Sequence, residues 1–295
     1  MSVAGTRPWL PWPLHRSPFW TAPLAAERAA ALRIGVALVL LADLAVSYLP
    51  GAHWLYGGGS MGAPAVFGWL GQAPNWSWSL LGGVESRAVI LTALWVWALL
   101  AVMLALGLYT RPVAWLVWAL NLSFAHLNPL VLNGGDQVRG LILFCLALSS
   151  SGATWSLDAR RRRFDYVQPW PLRLLLVQMA LIYVFSGVYK VAGGWQSADT
   201  LYLVLADLRV ARLPFASIAP VYALTTLAPL PIALFQLGFP LWIYLRRTRT
   251  AALALGAAFH VGLALTLDLG CFQLYMLCLY LPLVPWERRA RPLPG

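Results

Sequence analysis

The chain has one lysine against twenty arginines. That lysine, Lys190, ends an apolar run in the stretch LIYVFSGVYKVAGGW (181–195), just before a Gly-Gly-Trp turn. A primary amine there has two uses. It can snorkel to lipid headgroups, or, where apolar neighbours keep it uncharged, it can take a proton from a substrate as a general base. His260 falls inside another apolar run, where an ionisable side chain is either a functional group or a hydrogen-bonded tie between helices. Asp136 and Arg139 lie three apart in NGGDQVRG (133–140), a spacing that forms a local ion pair with the acid near a helix N-terminus. Asn121, Ser123, His126 and Asn128, with Gln178 and Tyr183, put further polar groups into apolar stretches, where they line an inner cavity or tie helices. Asp43 and Asp268 are candidate partners for His260 or Lys190, and Asp136 is a further one for Lys190.

Other chemistries find no support in the spacing. Four histidines and ten acids are scattered over different segments, with no H-E-x-x-H pair. Cys145, Cys271 and Cys278 sit in apolar runs without a CxxC and read as small buried residues. The run Gly57, Gly58, Gly59, Ser60 has no strand before it and no lysine after it, so it is a turn and not a phosphate loop.

These residues need elements to position them, and composition dictates which. Of 295 residues, 60% are hydrophobic and only 11% charged, too few to cover a soluble domain of that size. A membrane span needs about 20 mainly apolar residues. Runs of that kind occur at 31–49, 88–108, 113–131, 138–151, 172–192, 221–245, 251–267 and 270–284. The expected fold is therefore an all-α, polytopic integral membrane helical bundle of about eight transmembrane helices, with kinks at Pro229, Pro231 and Pro240. The transmembrane domain is expected over 30–286, after an interfacial arm at 1–29 (Trp9, Pro11, Pro13, Trp20) and before a cytoplasmic tail at 287–295.

Charge supplies the orientation. With the N-terminus inside, the cytoplasmic loops collect Arg7, Arg16, Arg28, Arg33, Arg111, the run 160–163, Arg173, Arg246, Arg247, Arg249, Arg288, Arg289 and Arg291. The outer side keeps only Arg87, Arg139, Lys190, Arg209 and Arg212. This asymmetry gives an even number of spans, with both termini in the cytoplasm of a cell with an inner (plasma) membrane. The net charge of +11 falls in clusters between apolar runs and forms no continuous basic stripe, so nucleic acid is not an expected partner. Two longer segments, 50–87 and 193–220, then lie outside, and the first is rich in Trp and Gly, as an interfacial aromatic belt is.

The segment 183–195 resembles the Tyr-Phe-Ile-Ala-Gly-Val-Lys-Lys…Trp segment of vitamin K-dependent gamma-carboxylases, and that of the wider HTTM (horizontally transferred transmembrane) family of bacterial membrane proteins. Two further stretches agree. Asn133–Arg139 with Trp155, Ser156 and Asp158 resembles the family's Asn-containing outer turn and Trp-Ser-x-Asp tail. Phe259 and His260, followed by Gly270, Cys271 and Phe272, resemble its late helical pair.

The resemblance implies a base at Lys190, with His260 as a second catalytic residue, and a lipid-soluble quinone or hydroquinone of the vitamin K type as ligand. Asn133, Asp136, Arg139, Tyr183 and Trp195 would contact it. A peptide or protein on the outer face is the implied recipient, with membrane lipid around the helices. Tyr189 stands where the carboxylases have their first lysine, Gly135 where they have a histidine, and Ala192 to Gly194 where they have acids. The large luminal region of those enzymes has no counterpart after the last span, so propeptide-directed carboxylation is not expected. The resemblance equally accommodates a non-catalytic assembly, maturation or export partner of the sporulation-delaying toxin type, which needs the helices and an outer loop but no base.

Overall fold

A computed structural model describes residues 17–63, 66, 78–193, 195, 198–215 and 220–286. Most of the expected N-terminal arm, parts of both segments expected outside, 50–87 (with Trp69 and Trp76) and 193–220, and the tail after Trp286 lie outside the described residues. The rest is helical. The helices are α1 (Ala26–Leu55), α2 (Arg87–Leu106), α3 (Thr110–Leu127), α4 (Gly134–Leu148), α5 (Trp170–Ala192), α6 (Ala198–Ala206), α7 (Val221–Leu227), α8 (Pro229–Tyr244), α9 (Arg249–Thr266) and α10 (Phe272–Cys278). A two-residue antiparallel ladder pairs β1 (Leu24–Ala25) with β2 (Tyr166–Val167).

Every apolar run in the sequence became helix, but the helices differ in reach. Among the described residues four are long and apolar enough to cross a membrane alone: α1, α2, α5 and α9. A fifth crossing results if α7 and α8, bent by 41° at Ala228, count as one broken span. Pro229 and Pro231 explain the bend, since neither can donate to the preceding turn, whereas Pro240 is carried inside α8 without a break. At 15 residues α4 is only about 22 Å long, less than the hydrocarbon core. Outward-facing side chains are as apolar as inward ones, among them Trp95, Leu99, Phe185, Leu234 and Leu265. Such surfaces face lipid.

The contacts divide the chain into two compact units. In the first, residues 1–129, 140–175 and 281–295, α1 packs along α2 and α2 along α3. A π-helical turn at Leu44–Tyr48 widens α1 just before Pro50, where the Leu49 N–H reaches back five residues to the Leu44 carbonyl. Proline cannot donate at position 50, and one inserted residue absorbs the break. The turn delivers the Tyr48 ring to Tyr56, Trp97 and Phe124, an edge-to-face and stacked aromatic core with centroids 5.3–6.2 Å apart. Ser123 binds the Leu80 N–H, His126 the Trp78 carbonyl and Asn128 the Leu55 carbonyl. These polar groups of α3 therefore tie the segments around Leu55 and Trp78–Leu80 to the helix.

A latch holds the arginine-rich end of this unit. The Asp158 carboxylate accepts from the backbone N–H of Tyr109 (2.9 Å), the N–H of Thr110 (2.7 Å) and the Thr110 hydroxyl (2.7 Å), which caps α3. Burial pushes the Asp158 carboxyl upward, but these donors and the nearby positive Arg33 outweigh it and hold the carboxyl below its usual range. Arg33, expected at a cytoplasmic boundary, is fully buried within α1 and donates to the carbonyls of Ser151 (2.7 Å) and Trp155 (2.5 Å). Gly107 makes room for it: at φ 67° it ends α2, and a Cβ there would lie 2.8 Å from the Arg33 guanidinium. The Trp-Ser-x-Asp stretch is thus a structural clasp around the α2–α3 turn.

Candidate functional site

The second unit, residues 130–139 and 176–280, contains Lys190, His260, Asn133, Asp136, Arg139, Tyr183 and Trp195, whereas Asp43, Asn121, Ser123, His126 and Asn128 lie in the first. The axis of the second unit is the C-terminal two-thirds of α5. Tyr183, Ser186 and Lys190 recur at helical spacing, so they stack along one face, with Lys190 about 10 Å above Tyr183. Gly187 lies between them, and a Cβ on it would stand 2.8 Å from the Leu237 side chain and 3.1 Å from the Leu237 backbone nitrogen. Only glycine lets α8 approach α5 this closely.

At the lower end of that face is a buried hydrogen-bonded chain. His260 Nδ1 lies 2.5 Å from the Gln273 carbonyl oxygen, an acceptor only, so Nδ1 carries the proton. Nε2 of the neutral ring then accepts from the Tyr183 hydroxyl at 2.8 Å, and Tyr183 in turn accepts from Tyr280. The Tyr183 ring stacks on Phe239 with centroids 4.0 Å apart. Gly256 leaves the space that the Tyr280 hydroxyl fills. His260 is 3% exposed, and both ring nitrogens are engaged within this chain.

At the upper end stands Lys190. Its amine donates to the Ser186 hydroxyl at 3.0 Å and lies 4.9 Å from the centre of the Trp195 ring. Among the described residues no carboxylate pairs with it. Of the three acids nominated as its partners, two serve arginines, Asp268 meeting Arg212 at 2.9 Å and Asp136 meeting Arg139 at 2.7 Å, and Asp43 belongs to the first unit.

The sequence profile of the HTTM domain matches residues 75–285. The chain belongs to the HTTM domain family. No curated protein and no solved structure matches it. The membrane assignment and the family resemblance of the sequence therefore stand together; the HTTM-like stretches at 133–139, 183–195 and 259–272 fall within the second unit, while the Trp155, Ser156 and Asp158 tail belongs to the first.

Their joining has a specific geometry. Asn133 and Asp136 form a reciprocal capping box at the start of α4: Asn133 Oδ1 accepts the Gly135 N–H at 2.6 Å, and Asp136 Oδ2 accepts the Asn133 N–H at 2.9 Å. The other Asp136 oxygen binds the buried Arg139, whose guanidinium lies 5.5 Å from the Tyr275 ring centre. A Cβ on Gly135 would stand 3.0 Å from the Phe272 Cα, so this turn seats directly on the first residue of α10. Gln273, next in that helix, is the residue that orients His260. The turn at 133–136 and the His260 chain thus adjoin through Phe272 and Gln273, while Lys190 joins the same chain along α5. Sequence reasoning missed Gln273, Tyr280 and Ser186. Ser186 had a detectable signal, four residues before the lysine; Gln273 and Tyr280 had none without the fold.

Proposed function

We propose that this HTTM protein is an inner-membrane protein of eight spans with both termini in the cytoplasm, and that Lys190 acts as a general base toward a lipid-soluble quinol reaching the site from the outer leaflet. The observation that carries the reading is the state of Lys190: a half-buried amine against an indole ring, with a hydroxyl to orient it and no acid beside it among the described residues. The donor set fits such a ligand. Phe185, Val188 and Val191 are exposed on adjoining faces of α5 and give an apolar approach, and Trp195 offers a ring face for stacking.

A quinol supplies an acidic hydroxyl and a store of two electrons when bound. The chain supplies the rest. The neutral Lys190 Nζ accepts the hydroxyl proton and, once charged, remains as counter-ion, while Ser186 Oγ fixes the direction of the amine. Tyr183, His260 and Gln273 are positioning residues that hold the face of α5 on which Lys190 stands. Asn133, Asp136 and Arg139 support them through the start of α10. A peptide or protein on the outer face is the expected recipient of the chemistry.

The test is extraction of quinone lipid from the purified full chain, together with the absorbance of an added naphthoquinol. Wild type should carry quinone and form the naphthoquinol anion. Lys190→Ala and Lys190→Arg should fold yet form no anion, because arginine does not give up its proton at working pH. A wild type without quinone that forms no anion, or a Lys190→Arg variant that forms it normally, would replace this reading with that of a non-catalytic assembly or export partner.

A further inference from the structure

A second site lies in the first unit, lined by none of the residues around Lys190. A cavity of about 980 Å³ opens where the N-termini of α3 and α5 meet the C-terminus of α4, beside the β1–β2 ladder. Its rim carries two guanidinium groups, Arg111 and Arg162, and its wall carries Ser150 and the aromatic rings of Phe164, Tyr166 and Trp170. Among the described residues neither Arg111 nor Arg162 forms an ion pair, and Arg162 rests 4.8 Å from the Phe164 ring centre. Asp158 is the one acid in the lining, and its two oxygens are occupied by Thr110 and Tyr109. The net field in the cavity is therefore positive. The volume is at the upper end for a bound organic ligand. Aromatic rings and arginines at span ends are the signature of a membrane–water boundary.

We infer that this cavity binds a phosphate ester, its charge held between Arg111 and Arg162 and its organic part against the aromatic wall. Guanidinium groups pair with phosphate through parallel N–H donors, and an apolar wall beside them suits an amphiphile better than a bare ion. Phosphate esters reach such a boundary from two sources, an anionic phospholipid headgroup or a soluble phosphate, and the chemistry of recognition is common to both.

The experiment uses the full chain in a neutral detergent, with phosphatidylglycerol and glycerol phosphate as separate probes and thermal unfolding and direct binding as readouts. Phosphatidylglycerol should bind and raise the unfolding temperature. If glycerol phosphate displaces it, the site also accepts soluble esters; if it does not, the ligand is the lipid. Arg111→Gln with Arg162→Gln should weaken binding at least about tenfold, the loss expected for one charge-assisted contact or more. Arg111→Lys with Arg162→Lys should keep most of it. Ser150→Trp, which pushes an indole into the cavity but leaves both arginines, should weaken binding too and guards against a folding failure in the first pair. Arg246→Gln with Arg247→Gln, a basic pair elsewhere, should change nothing. Failure of both probes to bind, full binding by the glutamine or tryptophan variants, or equal weakening by the 246/247 pair would overturn the inference.

Discussion

Removing the Asp158 carboxylate tests the latch at the arginine-rich end. In Asp158→Ala the cap of α3 goes, a loss of about 1 kcal/mol. The Thr110 hydroxyl, on a residue only 5% exposed, loses its acceptor as well, which costs about 1–3 kcal/mol more. Buried Arg33 also loses its nearest opposite charge. The sum is about 2–4 kcal/mol, or a fall in unfolding temperature of roughly 4–8 °C for a chain of this size. Asp158→Asn should fall between, since it keeps one carbonyl acceptor but turns an amide toward a donor. The carboxyl titrates below its unfolded value in the folded protein, so its contribution is complete above the unfolded value and is lost as pH falls through the folded one. Wild type should therefore lose part of its stability below about pH 4 that Asp158→Ala never had. Thermal unfolding in detergent at neutral and acid pH reads all of this, and Asp158→Ala with Thr110→Val should be less than additive. An Asp158→Ala protein unfolding within a degree of wild type at neutral pH, or strict additivity with Thr110→Val, would refute the latch.

Three further outcomes are expected. His260→Phe strands the Gln273 oxygen and should lower stability by about 2–3 kcal/mol, while adding Gln273→Leu should recover part of it, since replacing both partners is cheaper than removing one; equal losses in the single and double variants would show that the chain does not hold α9 to α10. Gly135→Ala brings a Cβ 3.0 Å from the Phe272 backbone and should cost about 1–3 kcal/mol by overpacking, measured by thermal unfolding; a neutral result would mean that the turn does not seat on α10. Reporter fusions after Arg163, Arg249 and Gly295 should read as cytoplasmic and those at Gly58 and Ala206 as external; a cytoplasmic signal from either of the last two would end the eight-span topology and the outer placement of Lys190.

The apolar runs, the arginine distribution and the lone lysine were legible from sequence because each depends on local composition: a bilayer sorts residues by hydropathy and charge before any tertiary contact forms. Even the bend at Ala228 needed only the chemistry of the prolines that follow it. Partnership was not legible, because apolar runs carry no register relative to one another. Asp136 and Asp268 were each eligible for Lys190, and packing gave both to arginines. Arg33 looked like a loop charge, yet the carbonyls of Ser151 and Trp155, more than a hundred residues away, draw it inside α1. His260 was a lone ionisable group in a span until Tyr183 and Gln273 met its two nitrogens. Hydropathy places a helix in the membrane, but the pairing of buried polar groups is a property of the packed interfaces, where each unsatisfied donor or acceptor costs more than the sequence alone reveals.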